Sequence, residues 1–489
     1  LQSRELSARP PGGVSSPERL LTGRLLGCKS ASALLRLVED HRHVLNPIHC
    51  SSALAVLARL APRAAPPSKG DARRLKLLEA EAEKQMQASE PRVLANMLWA
   101  VAKRRSSGGD AASWEAGEAF LGALLAEVAQ KLAQFNAQDL SNSLWALAAL
   151  SHLPGAKLSE DNNNTTNNNS NNNTANSNNT TNSNSNSNNN NLLQDMCLQS
   201  ERHLSSSSNN NSSTNINNND NNSTTNNNNK SSGNAFQPQG LANSLWALAT
   251  LGHQPGQRFM GLAEEAVLRQ LEDFRPQHLG NTLWACAKLS HQPSEAFLEA
   301  TAREAGRKLQ DFNPQNLTNA LWAWMQLQYS VDRHLLHLVE QECLYKLESF
   351  TPQHLTTSLS AFAKQAYHPR SEFMQGHVAE SRKKISQFTG PELAQAIWAY
   401  ATLGRHPGRS FLERFSSESC KQSVSFNSQE LTRSLWACAK LGYTPQALLL
   451  RRFKSQAEEQ LAEFSPQDLV LGMWACVMFN RGRRTLTET

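Results

Sequence analysis

Three residues before a recurring tryptophan, the chain places polar side chains of changing kind: Asn96, Asn142, Asn243, Asn281, Asn319, Thr357, Gln395 and Arg433. Four residues past the tryptophan stand Lys103, Thr250, Lys288, Gln326, Lys364, Thr402 and Lys440. On an α-helix, positions seven apart share one face. Amide and guanidinium groups in that pattern can bond the edges of unpaired bases, and lysines beside them can bond phosphates. Small neighbours, including Ala242, Gly280 and Ser244, would let a strand approach closely. The same amides could instead bridge adjacent units as a polar ladder, and the pattern alone leaves both readings open.

The tryptophans themselves are Trp99, Trp145, Trp246, Trp284, Trp322, Trp398, Trp436 and Trp474. Bases stack on aromatic faces. Yet each tryptophan sits beside a leucine stripe in fixed register, and Ala55 and Ser360 stand at the same position in two units. A structural wedge between repeats is therefore the preferred reading. Six residues before the tryptophan come His278, Asn316, His354, Glu392, Glu430 and Asp468; the acids there fit helix capping.

No catalytic residues, metal ligands or cofactor site emerge. The 8 cysteines form no CxxC pair, and no Cys/His cluster has metal spacing. Cys286, Cys438 and Cys476 each follow a tryptophan by two and are expected as small buried side chains. Cysteine usage fits a reducing compartment. His253 and His291 share a loop position with no ligand set beside them. Phosphate-cradling glycine loops, paired catalytic carboxylates and nucleophile triads are missing from the pattern, so no enzyme is expected.

What must position these residues is a repeat. Trp246, Trp284 and Trp322 are 38 apart, and so are Trp398, Trp436 and Trp474; Ser360 fills the gap in the series. The frame extends back through Trp145, Trp99 and Ala55, with longer loops that include RRSSGGD at 104–110. Each unit reads as two helices. Residues 274–311 show the first starting at Pro276, a residue whose missing N–H has no partner in a first turn anyway. Asn136, Asn427 and Ser465 are followed three residues later by an acid, the signature of a capping box. Leu279, Leu283 and Ala287 form an apolar stripe at helical spacing. The first helix stops near Leu289-Ser290, or at Leu251-Gly252 in its own unit. The second begins near Ser294 and carries Phe297, Leu298, Ala302 and Leu309 inward. Neither helix buries its stripe alone, so the units must stack. The expected fold is all-α, an α-solenoid of ~38-residue helix-turn-helix repeats with ten first-helix anchors.

Composition sets the limits. The 489 residues exceed one compact core, and the net charge of +6 permits an RNA or acidic partner without demanding one. No apolar run is long enough to span a membrane, so no insertion is expected. Residues 1–30, with scattered arginines, serines and prolines, read as a disordered leader or a transit-peptide remnant. Residues 31–160 are expected as N-terminal repeats, with 31–45 the second helix of an incomplete preceding unit. Asn/Ser-rich blocks within 161–235 are expected to be disordered insertions flanking a short helix near 192–204. Residues 236–489 carry the C-terminal repeats.

The phrase from Phe274 to Pro293 and its partner from Phe236 to Pro255 resemble the octotricopeptide repeat family. They are similar also to the helical repeats of RAP-domain organelle RNA-processing proteins. The resemblance covers nearly all of the chain outside the Asn-rich blocks. It implies a single-stranded organellar transcript as partner, within a ribonucleoprotein complex. It also implies a role in mRNA stabilisation, processing or translation in chloroplast or mitochondrion. The family's PPPEW signature is reduced here to Pro293 and Phe297, and no RAP domain is visible, so the RNA role follows from the repeats alone. The alternative is a protein-binding α-solenoid scaffold.

Overall fold

The computed structural model describes residues 17–60, 66–106, 117–151, 182–209, 235–422, 426–459 and 463–487. Among them every regular element is helical. The chain divides into two compact units, Leu1–Arg269 and Gln270–Thr489, each a run of stacked helical hairpins. The fold is an all-α helical-repeat solenoid.

In the first unit the first helices are α1 (Pro17–Leu26), α3 (Pro47–Leu60), α5 (Pro91–Arg105), α7 (Ala137–Ser151) and α9 (Pro238–Leu251). Their partners are α2 (Ala31–Asp40), α4 (Lys69–Lys84), α6 (Glu118–Lys131), α8 (Asn182–Asn209) and α10 (Gln257–Arg269). In the second unit the first helices are α11 (Pro276–Lys288), α13 (Pro314–Gln326), α15 (Pro352–Lys364), α17 (Gly390–Thr402), α19 (Ser428–Lys440) and α21 (Pro466–Thr487). Between them lie α12 (Glu295–Arg307), α14 (Arg333–Lys346), α16 (Ser371–Lys384), α18 (Arg409–Lys421) and α20 (Ala447–Glu459). First helices pack on first helices and second on second, so each unit has two layers.

Local chemistry sets each start and stop. Asn313 and Asn427 accept the N–H three residues on, at 2.8 and 2.9 Å. Such caps contribute about 1 kcal/mol each. Ser294 does the same for Phe297 at the start of α12. The first helices α11 to α19 end in a left-handed residue whose successor closes a six-to-one bond, as His291 N–H does to the Cys286 carbonyl at 3.0 Å. Gly404 and Gly442 take that conformation without strain, whereas Ser290, Gln328 and Ala366 hold it at φ 53°, 54° and 50°.

Packing then locks the units together. A short 3-10 turn follows most second helices and ends on a buried phenylalanine: Phe135, Phe274, Phe312, Phe350 and Phe388. Each contributes about 1.5–3 kcal/mol by leaving water. Just before the turn, a lysine reaches back one unit. Lys308 Nζ donates to the carbonyls of Glu272 and Phe274 at 2.6 and 2.7 Å. Lys384 does so to Glu348 and Phe350, both at 2.7 Å, and Lys131 to Gln87 and Ser89 at 2.6 and 2.9 Å. A buried glutamate four residues earlier pairs with each lysine, as Glu304 does with Lys308 at 2.7 Å. These ties occupy carbonyls that the turn geometry leaves without a helical partner.

Three expectations change. The unit before α3 has its own first helix: α1 lies within the expected 1–30 leader and packs on α3, because Leu21 and Leu25 fall four apart and are buried. The rest of that leader, residues 1–16, lies outside the described residues. Arg104 and Arg105, expected in a loop, finish α5; Arg104 is fully buried and pairs with Glu79 at 3.2 Å. Helix α8 is longer than the short helix expected near 192–204 and holds the second-helix place beside α7 and α10, with Leu192, Leu193, Met196 and Leu204 buried. The Asn/Ser-rich stretches 161–181 and 210–234 lie outside the described residues.

Candidate nucleic-acid interface

Each first helix from α3 to α19 leaves one stripe in contact with solvent. Counted from the tryptophan position, it runs through −7, −3, 0 and +4, the alternating four-and-three step that keeps to one helical face. In α11 these residues are Gln277, Asn281, Trp284 and Lys288; in α13 they are Gln315, Asn319, Trp322 and Gln326. In α3 to α19 most of the remaining surface is buried by the neighbouring first helices and the second layer, whereas α21 also exposes Val470, Met473 and Val477.

The expected contact residues all lie on this stripe. Asn96, Asn142, Asn243, Asn281, Asn319, Thr357, Gln395 and Arg433 are half-buried, with part of each side chain exposed. Lys103, Lys288, Lys364 and Lys440 are exposed. Asn142 and Asn319 accept from Gln138 and Gln315 of their own helices, at 2.9 and 2.7 Å. These two bonds run along the helix and do not bridge adjacent units.

The tryptophans are half-buried, and Trp474 is 40 % exposed. Two pairs of them meet between adjacent first helices. Trp99 and Trp145 have ring centroids 6.3 Å apart, and Trp284 and Trp322 repeat that spacing and the 35° tilt. Part of each ring is nevertheless open to solvent. Lys440 Nζ sits 4.7 Å from the centre of the Trp436 ring, a cation–π contact on the stripe itself. Ser360, at the tryptophan position of α15, is buried.

Electrostatics separate the two layers. No Asp or Glu occupies −7, −3, 0 or +4 in α3 or any later first helix, while Arg59, Arg92, Lys103, Lys288, Lys364, Arg433 and Lys440 do. Among the described residues no carboxylate forms an ion pair with Lys288, Lys364 or Lys440. Partial desolvation by its neighbours, and then the like charge of Arg433, push the ammonium of the exposed Lys364 below its ordinary value. In the second layer, by contrast, positive charge is neutralised locally, as in the Glu380–Lys384 and Glu127–Lys131 pairs at 2.8 and 3.0 Å.

Comparison with known proteins bears on this surface. Residues 234–330 match the family model of the Tbc2 translation factor, N-terminal domain. That segment carries α9, α11 and α13 with their stripes. No curated protein matches the sequence. A chain of the homology model of the full-length AP-3 complex in an intermediate open conformation is similar at 11% identity. That alignment covers 95% of this chain and 78% of the other, at a TM-score of 0.28, too low to carry an argument.

Some features were misread in the sequence and others missed. Ala242, Gly280 and Ser244 do not open the surface to a strand, because all three are buried. A Cβ on Gly280 would stand 3.3 Å from the Asn316 Cα and carbonyl oxygen, so its small size lets α13 approach α11. Cys286 and Cys438 are buried as expected, but Cys476 on α21 is exposed. A glutamine at −7 also belongs to the stripe: Gln138, Gln239, Gln277, Gln315, Gln353, Gln429 and Gln467 are all exposed, and five of the seven follow a proline, a recurrence visible in the sequence. Histidines also cap. His278 and His354 accept the backbone N–H of Arg275 and Thr351 at Nδ1, both at 3.2 Å.

Proposed function

We propose that the first-helix stripes within each unit form a binding surface for single-stranded RNA, and that the chain acts in organellar gene expression. Asn96, Asn142, Asn243, Asn281, Asn319, Thr357, Gln395 and Arg433 would meet base edges. Lys103, Lys288, Lys364 and Lys440 would meet phosphates, and the part-exposed tryptophan rings would offer stacking surface. The observation that carries this reading is the stripe's charge: basic side chains with no acid at any of its positions. At Lys288, Lys364 and Lys440 a polyanion gains without first breaking an ion pair among the described residues. The repeat resemblance supports an organellar transcript in chloroplast or mitochondrion, and the Tbc2 translation factor match favours translation over processing. The role is recognition, and no reaction is assigned.

The test is RNA retention by the purified chain over a salt series. Binding is expected to weaken as salt rises, because bound lysines release counterions. Replacing Lys288, Lys364 and Lys440 together by Glu is expected to reduce affinity at least about tenfold and to lower the salt slope by about 2. Unchanged affinity in that variant, with helical content intact, would remove the stripe as the binding surface.

A further inference from the structure

A hydrogen-bond relay connects neighbouring repeats and ends on the stripe. It begins at the backbone N–H of Thr351, which donates to Nδ1 of His354 at 3.2 Å. An amide N–H can only donate, so Nδ1 is an acceptor and the neutral ring carries its proton on Nε2. That Nε2 lies 3.1 Å from Gln315 Oε1, across the step from α15 to α13. The ring therefore donates to the glutamine carbonyl, and this sets which way the Gln315 amide faces. Its Nε2 then donates to Asn319 Oδ1 at 2.7 Å. The last group of the relay, the Asn319 amide nitrogen, keeps its hydrogens for an outside partner. Each step fixes the next, starting from a backbone group whose polarity cannot change.

We propose that Asn319 is a specificity residue held in donor polarity by His354 of the following repeat, and that it selects a base offering a keto oxygen. On the pairing edge, uracil presents O4 and guanine O6 where cytosine and adenine present amino groups. At that position of the edge, a lone outward donor meets an acceptor in the first pair and another donor in the second. The inference rests on the RNA-binding reading of the stripe. Asn142 receives the same bond from Gln138 at 2.9 Å, but its unit has no histidine in the corresponding place, since Gly240 stands six before Trp246. The relay thus gives Asn319 a defined polarity that the bare amide sequence does not encode.

The reversing substitution is His354→Glu. Glutamate keeps the helix cap, as Glu392 and Glu430 do at the same position by accepting from Thr389 and Asn427 at 2.7 and 3.0 Å. It presents an acceptor to Gln315, so that the amide turns over, its Oε1 faces Asn319, and Asn319 exposes its own carbonyl. The experiment selects bound sequences from a randomised single-stranded RNA pool, using the wild-type chain, His354→Glu and Asn319→Ala. One position enriched in U or G by about fivefold or more is expected for the wild type. That position should turn toward A or C in His354→Glu, with total retention changed less than about threefold, and should lose its preference in Asn319→Ala. RNA retained with the same base preference in all three chains overturns the relay and leaves the binding surface standing. No RNA retained by the wild-type chain overturns both.

Discussion

At the scale of single residues, histidine has been fitted to a capping role that needs its neutral form. His278 and His354 each accept a backbone N–H at the start of a first helix. Burial, then the charges of Arg275 and Lys308, pushes His278 down to about 4, and burial with Lys384 also lowers His354. Fully buried His377 is pushed to about 4 in the same way; its Nε2 donates to the Leu355 carbonyl at 3.0 Å, and its Nδ1 accepts from the Tyr400 hydroxyl at 2.7 Å. Each folded value lies below the unfolded one of about 6.5. The unfolded chain therefore binds more protons in this window, and stability is complete above about pH 6.5 and falls as the pH approaches the folded values. The melting temperature should drop between pH 7 and pH 4.5, before most carboxylates titrate. In His278→Glu that slope should be shallower; an identical slope in thermal melts would show that the cap does not titrate.

At the scale of elements, two devices recur and each has a cost that can be read. The first helices α9 to α19 end in left-handed residues, and three of these are not glycine. Converting Ala366 or Gln328 to Gly should stabilise the fold by about 0.5–1 kcal/mol, because a Cβ in that conformation crowds the following carbonyl. Gly404→Ala should lose a similar amount, and urea midpoints of the three variants would decide it. The lysine tie is the second device. Lys308→Met keeps the stem but removes the ammonium from two carbonyls and leaves the buried Glu304 with Arg307, at 2.8 Å, as its remaining cation. A loss of about 1–3 kcal/mol is expected. A urea midpoint within error of the wild type would mean that water replaces the lysine without penalty.

At the scale of the whole molecule, a solenoid's properties are sums over units and over neighbouring pairs. RNA binding should follow the same rule. Replacing Lys288, Lys364 and Lys440 singly, in pairs and together should lower the salt slope in steps of about 0.7 each, as for separate phosphate contacts on one strand. A single lysine that accounts for the whole change would point to one local site and away from a track. The sequence by itself determined the 38-residue period, the two helices of each unit, their capping residues and the face that carries Asn281 and Lys288. These follow from interactions three and four residues apart, which any helix imposes on its own chain. Tertiary structure decided the rest. Only stacking shows that Gly280 makes room for Asn316, that Lys308 holds carbonyls 34 and 36 residues earlier, that His354 reaches Gln315 across 39 residues, and that α1 completes the first hairpin. Each of those contacts joins residues about one repeat apart. Their types are legible in the chain, but their partners are set by how closely two helices pack.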